Sequence, residues 1–157
     1  KVGDFHKLHN GWRLLRDRNC IKVELRKKII KNKSVELHLN IPVIYNKYKY
    51  CLSLSKNKLE YGLINNYESV DWYKLKNRKL EIRLWRTGDK FQPLGMKGKQ
   101  KLSDFFINQK VNGIDKESQS VATADGEIFW VCGKRIAHWV RITDGTEVFA
   151  ELSRSLI

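Results

Sequence analysis

Apolar side chains recur at every second position through the first half of the chain: Ile21, Val23 and Leu25; Val35, Leu37, Leu39 and Ile41; Tyr48, Tyr50, Leu52 and Leu54. A period of two puts one face of an extended segment in an apolar environment and the other in water, so these runs predict half-buried antiparallel strands. Polar breaks rich in Asn and Lys separate them at 32–34, 46–47 and 55–58, and Asn tolerates the conformations that tight links demand. Leu59, Tyr61 and Leu63 predict one more strand. A polar passage from Asn65 to Lys76 follows, with a short helical turn expected at 71–75. The best internal boundary then falls at Asn77-Arg78-Lys79, dividing the chain into 1–78 and 79–157. The first part reads as a β-rich basic lead-in that either packs in the same unit or folds separately.

The pattern changes in the second part. Leu80, Ile82 and Leu84 predict a strand that leads into a basic loop, while Leu102, Phe105, Phe106 and Gln109 fall at helical spacing. A helix start is expected near 101–104, with Ser103 as the cap. Another short helical turn is expected at 115–118. Asp125-Gly126 and Asp144-Gly145 each sit between apolar runs, and Asp-Gly suits a tight hairpin because both central residues must accept positive φ. Hairpins over 121–131 and 139–152 follow. The fold class is therefore α+β, mostly antiparallel strands with one or two short helices.

Charge sharpens this picture. The chain of 157 residues carries a formal net charge of +14, which favours a polyanionic partner because a compact body otherwise bears the self-repulsion. The excess is uneven. Residues 1–80 hold 19 cations against 7 anions, 83–110 hold 7 against 2, and 111–157 hold 5 against 7. Basic charge gathered in this way points to nucleic acid ahead of generic solubility. No apolar run approaches the roughly 20 residues that cross a bilayer, so no membrane partner is expected. The chain opens Lys-Val-Gly-Asp without an initiator Met, which reads as part of a longer product.

Cys20, Cys51 and Cys132 are odd in number and far apart, suggesting neither a disulfide framework nor a zinc ribbon and fitting a reducing cytosol. His6 and His9 have one-face helical spacing, but no Cys or carboxylate cluster completes a metal site near them. His38 and His138 fall in apolar-alternating stretches and read as strand residues. Trp85, Phe91, Phe105, Phe106, Trp130 and Trp139 occupy apolar-periodic positions and are expected to fill a core rather than stack on bases. A basic surface poor in spare aromatics suits a paired RNA stem better than a single strand.

The segment 83–110, RLWRTGDKFQPLGMKGKQKLSDFFINQK, concentrates the candidate chemistry. Gly88, Gly95 and Gly98 let the backbone bend and bring peptide N–H groups close to an anion, with Asp89 and Pro93 shaping the same loop. Lys90, Lys97, Lys99, Lys101 and Lys110 supply charge, and a helix starting just beyond would aim its positive end at the same place. Arg83 and Arg86 are expected on one strand face, offering bidentate phosphate contacts. Phe105 and Phe106 would bolt the loop to a core. Such contacts position a nucleic acid without reading bases. Asp89 and Asp104 read as a turn residue and a first-turn helix residue rather than a catalytic pair. The G-x-x-x-x-G-K-[ST] phosphate loop and the G-x-S-x-G elbow are both absent, so no active site is read and the chain alone is not expected to catalyse.

The run Arg86-Thr87-Gly88-Asp89-Lys90-Phe91-Gln92-Pro93-Leu94-Gly95-Met96-Lys97-Gly98, followed by Lys101-Leu102-Ser103-Asp104-Phe105-Phe106-Ile107 and Lys110-Val111, resembles the C-terminal domain of the tRNA(Ile)-lysidine synthetase family. The likeness continues through Asp125-Gly126-Glu127-Ile128, Trp130-Val131, Gly133-Lys134-Arg135-Ile136 and 143–146, about half the chain in order. It departs at Asn112-Gly113-Ile114-Asp115, so no RNA contact is carried over to 112–121 and Arg135 joins the candidate set.

The resemblance implies a sandwich-like module similar to one in the phenylalanyl-tRNA synthetase β-subunit. It implies a part of a carbon–nitrogen ligase that uses ATP and lysine to convert the wobble cytidine of tRNA(Ile) to lysidine in the cytoplasm. ATP and magnesium belong to an N-terminal catalytic domain with an S-G-G-x-D-S loop, a motif this chain lacks, so no cofactor is expected here. The resemblance implies docking of the acceptor-stem side of tRNA(Ile), and size agrees with that division of labour, since a body of roughly 15 Å radius cannot hold that stem and also act at the anticodon. The alternative is a structural, dimerising or generic RNA-binding module packed on its own catalytic domain or a second copy.

Overall fold

A computed structural model describes residues 5–17, 19–25, 33–57 and 66–157; the strand expected at Leu59, Tyr61 and Leu63 lies outside them. Three strands, β1 (Phe5–Lys7), β2 (Trp12–Arg16) and β3 (Ile21–Leu25), form a small antiparallel sheet in that order. Then follow β4 (Ser34–Glu36), β5 (Val43–Tyr45), β6 (Tyr48–Ser55), β7 (Tyr67–Asp71) and helix α1 (Trp72–Leu75). The rest of the chain contributes β8 (Leu80–Leu84), β9 (Lys90–Phe91), β10 (Gln100–Lys101), α2 (Leu102–Asn108), α3 (Gly113–Glu117), β11 (Ser120–Ala124), β12 (Glu127–Val131), β13 (Arg135–Ile136) and β14 (Phe149–Leu156). The α+β class with mainly antiparallel strands is as the patterning predicts, with three short α-helices rather than one or two among the described residues.

Two larger sheets carry the core, a five-stranded one ordered β13-β12-β11-β8-β4 and a four-stranded one ordered β5-β6-β14-β7. Register decides which side chains meet. Val35, Ile82, Ala122 and Trp130 are cross-strand partners and share a face, as do Val70 with Ala150 and Leu52 with Leu152. These faces oppose each other, with the Tyr50 ring edge-on to Trp130 at 6.3 Å. Strand β11 is buried at all five positions, on both faces, which explains why Val121 to Ala124 show no alternation. The expected division at 78/79 runs between α1 and β8, and strands from both sides of it share each large sheet.

Several sequence expectations hold in detail. Helix α1 starts where Asp71 accepts a hydrogen bond from the Tyr73 N–H (3.0 Å), the capping geometry expected of an acidic residue there. Asp125 and Gly126 both take positive φ (49° and 85°) and close the β11–β12 hairpin. Trp130, Phe91, Phe105 and Phe106 are buried, and Trp85 and Trp139 pack partly buried against the same core.

Others are corrected. The run 35–41 is not one strand: it leaves the sheet after Glu36 and turns at Asn40 (φ 59°), because only that stretch can pair with β8. His38 therefore sits in an isolated bridge, and His138 in a 3-10 turn, rather than inside strands. The 139–152 hairpin does not form. Residues 143–146 make a local turn, and β14 runs away to pair with β6 over its whole length and with β7 over Phe149–Ser153, burying Ala150 and Leu152 as no local hairpin would. Ser103 is not the cap of α2; Lys101 occupies that position, and the Ser103 hydroxyl donates to Asp104 Oδ1 at 3.2 Å.

The β1–β3 sheet is attached through charge. Arg13, almost fully buried, forms ion pairs with Glu24 on β3 and with Glu117 on α3. Burial alone would lower the guanidinium's pKa, but the two carboxylates raise it above its ordinary value.

Candidate nucleic-acid interface

Strand β8 ends at Leu84, and the Trp85 N–H then donates to Gln119 O (3.1 Å), steering the chain out of the sheet. A tight turn follows at Arg86-Thr87-Gly88-Asp89, in which the Asp89 N–H returns to Arg86 O (3.1 Å) and Gly88 takes φ 95°. The Asp89 carboxylate organises it. Asp89 Oδ2 accepts from the Arg86 N–H (2.7 Å) and from Arg83 Nη1 (2.8 Å), while Oδ1 accepts from Arg83 Nη2 (3.0 Å).

Beyond β9 the chain makes a second turn. Met96 N–H bonds to Pro93 O (3.1 Å), and Gly95 at its third position has φ 82°, the positive value a type II turn requires there. The Leu94 N–H donates to Ile136 O (3.0 Å), tying this turn to β13. A Cβ at Gly88, Gly95 or Gly98 would meet nothing within 4 Å, so these glycines serve backbone direction at an open surface rather than close packing.

The lower end of the loop is firmly seated. Phe91 meets Phe105 edge-on at 5.1 Å, and Trp85 meets Phe106 at 5.2 Å, with the Trp85 indole N–H donating to Lys116 O (2.6 Å). The paired phenylalanines of α2 therefore anchor the loop as their spacing suggests.

On either side of this second turn, β9 and β10 form a two-residue ribbon whose register sets Lys90 directly across from Lys101. Both are exposed, and neither has a carboxylate within salt-bridge distance among the described residues. Like charges directly opposite destabilise a strand pair, so a fold that keeps them gains from an anion at that place. Lys97 lies exposed on the loop between them, and Arg86 is exposed at its entrance. Lys99, also exposed, has its Nζ 3.8 Å from Glu127 Oε1. Lys110 follows α2, nine residues after Lys101 and at the other end of that helix.

Two expectations change. Arg83 and Arg86 are not on one strand face: three positions apart they would point oppositely, and Arg86 lies past the strand end. Arg83 is mostly buried and held by Asp89, so it is a brace for the loop and not a free phosphate ligand. The start of α2 is also not presented to an anion, since the Leu102 N–H donates to Asp89 O (2.8 Å) and Asp104 sits in the first turn. The lysines carry the charge of this surface.

Arg135 is exposed on β13 and lies in the field of Glu68. Burial pushes the Glu68 carboxyl up to about 6, with Arg135 opposing the rise. Nearby is a second group of cations that sequence spacing does not join: Lys47 and Arg154 over the ring of Tyr48, with Lys134 beside them. Gly133 before Lys134 is the only local signal, and the net negative charge of 111–157 hides Arg154.

A family profile described as "TilS substrate C-terminal domain" matches residues 80–148. A tRNA(Ile)-lysidine synthase of Parabacteroides distasonis is 30% identical over 141 residues, covering 86% of this chain and 31% of that protein. One from Clostridium acetobutylicum is 30% identical over 144 residues, 89% of this chain and 29% of the relative. In Geobacter sulfurreducens a third is 42% identical over 69 residues, 44% of this chain and 15% of the relative. The chain thus spans about a third or less of the length of these relatives. Its fold is shared with a solved structure titled "Crystal structure of TILS C-terminal domain", at TM-score 0.67 and 22% identity, covering 80% of this chain and 98% of that one. Profile, alignment along most of the chain and common fold together make this chain homologous to the C-terminal region of the tRNA(Ile)-lysidine synthase family, with residues 80–148 matching the TilS C-terminal domain profile.

Proposed function

We propose that this chain is the tRNA-docking C-terminal part of an ATP-dependent tRNA(Ile)-lysidine synthase. The open loop from Arg86 to Lys101 grips phosphates on the acceptor-stem side of tRNA(Ile). A separate catalytic domain, which would bind ATP and magnesium, converts the wobble cytidine in the cytoplasm. The observation that carries this reading is Lys90 set opposite Lys101 by strand register, with Lys97 and Arg86 exposed around it. Such a surface lowers its own electrostatic cost when polyanionic backbone lies across it, and it needs no base contact to do so.

The test is acceptor-stem RNA binding by the 157-residue chain across a salt series. If four to six phosphates are contacted, log affinity falls against log salt with a slope of about −4 to −5. Changing Lys97, Lys99 and Lys101 together to Glu should weaken binding at every salt concentration. Unchanged affinity in that folded variant removes the loop from the interface.

A second reading, docking onto another protein surface, is favoured by the β1–β3 sheet. Its outer face shows Ile21, Val23, Leu25 and Trp12 at 64, 54, 47 and 45% exposure, while the charged Arg13 is buried on the inner one. Light scattering separates the readings: a stable dimer without RNA affinity, dispersed by Val23→Lys, supports this one.

A further inference from the structure

We propose that Arg154, Lys134 and Lys47 form a second phosphate-binding point for RNA backbone, separate from the 86–101 loop. The proposal rests on the RNA-docking reading above and extends it to the opposite end of β12.

Arg154 stands opposite Tyr50 in the β14–β6 register and so faces the interior at the edge of the sandwich. Its guanidinium carbon lies 4.4 Å from the ring centroid of Tyr48. On another side is Gly133, buried and at φ 71°, where a Cβ would overlap the guanidinium. Arg154 Nε donates to Asn66 Oδ1 (2.8 Å), and its own N–H to Asn66 O (2.9 Å). Ring, glycine and amide thus fix the plane of the group, with the Tyr50 hydroxyl as a further close partner on its inner side.

No carboxylate among the described residues pairs with this guanidinium in a salt bridge. Instead, more positive charge gathers. Lys47 Nζ lies 5.7 Å from the same Tyr48 ring centroid, and Lys134 is half-buried nearby, its pKa lowered by burial and then by Arg154. The carboxylates in range are otherwise engaged. Asp115, which acts on Lys134, accepts from Asn112 Nδ2 (2.6 Å) and lies 4.0 Å from Lys22; Glu68 faces Arg135. The buried Tyr50 hydroxyl lies close to both Arg154 and the Ser120 hydroxyl.

A guanidinium held flat, with Lys47 against the same tyrosine ring, Lys134 next along the chain from Gly133 and no salt-bridge partner among the described residues, is built to receive an external oxyanion. A planar fork suits two oxygens of one phosphodiester, and the flanking lysines add charge without demanding orientation. RNA is favoured over a free anion because Lys47, exposed at the turn before β6, extends the positive surface away from the point.

The experiment measures tRNA affinity of the 157-residue chain across a salt series in three variants. These are R154Q/K134Q, K47Q/K134Q, which leaves the fixed guanidinium untouched, and K97E/K99E/K101E. The expected result for each of the first two is a salt slope less negative by about 1 to 2 and an affinity about tenfold lower at low salt. Wild-type slope and affinity in both, with the native fold retained, overturn the proposal. If only the loop variant loses binding, the loop reading stands and this one fails; if only the first two lose it, the reverse holds. Inorganic phosphate is the control for a free-anion site, which it establishes by raising the thermal midpoint of the wild type but not of R154Q/K134Q while RNA binding is equal in both. Competition by polyglutamate as strong as by RNA reassigns the cluster to an acidic protein partner and likewise overturns it.

Discussion

Arg83 and Asp89 are joined by a two-pronged ion pair, with Nη1 to Oδ2 at 2.8 Å and Nη2 to Oδ1 at 3.0 Å, both side chains mostly buried. This fork closes the turn that releases the basic loop from β8, and the Arg83 Nη1 also donates to Leu84 O at 2.9 Å. Asp89→Ala should cost about 3 kcal/mol, because it leaves a buried guanidinium without its counter-charge. Denaturant unfolding measures that loss. Adding Arg83→Ala to the same variant should recover part of it, as removal of the stranded charge also removes its desolvation cost.

Lys90 and Lys101 oppose each other across two strands, so function and stability should move in opposite directions when one is neutralised. Lys90→Gln should stabilise the free chain slightly, by roughly 0.5 kcal/mol. The same change should weaken RNA binding and make its salt slope less negative by about 1. Thermal unfolding and RNA titration on one sample check both signs; a loss of stability together with unchanged binding would mean that the pair belongs to the fold.

Glu68 gives the fold a pH dependence. Its pKa rises from 4.5 in the unfolded chain to about 6 in the folded one, so the native state holds the proton more tightly. The Glu68 contribution to stability is then greatest below pH 4.5, declines as pH rises to about 6 and is flat above, the direction linkage requires when the native state binds more protons. The shift corresponds to about 2 kcal/mol before solvent screening, and about 1 kcal/mol is expected for a side chain partly in water. Glu68→Gln should abolish that decline and stabilise the chain near neutral pH. Arg135→Gln should raise the carboxyl pKa further, because it removes the charge that opposes the rise.

Gly133→Ala tests how the backbone accommodates Arg154. A positive φ of 71° costs an alanine about 1 kcal/mol, and the added Cβ occupies the place of the guanidinium. The arginine is the flexible member and should swing away, so the expected outcome is a modest drop in thermal midpoint with loss of the Tyr48–Arg154 contact. Near-ultraviolet circular dichroism of the tyrosines reports the second effect.

Much of this was legible from residue order, and the reason is locality. Period-two alternation in Ile21–Leu25 and Tyr48–Ser55 reflects strands with one wet face, and Asp125-Gly126 reflects a turn that few other pairs can make. The loop lysines were found because they lie within a dozen residues of one another and of three glycines. Asp144-Gly145 misled for the complementary reason: the apolar run after it answers to β6 and β7, more than 75 residues away, and not to its own neighbours.

Alternation, turn chemistry and the clustering of charge were enough to establish an α+β chain with an anion-seeking loop, since each depends on side chains close together along the backbone. The use of each cation was settled only in three dimensions. Arg83 became a brace because Asp89 folds back onto it, Lys90 met Lys101 because strand register aligned them, and Arg154 reached Tyr48 on the neighbouring strand and Gly133 across to the other sheet. A charge acts through space with whatever lies within a few ångströms, and that neighbourhood exists only once the sheets have paired and packed.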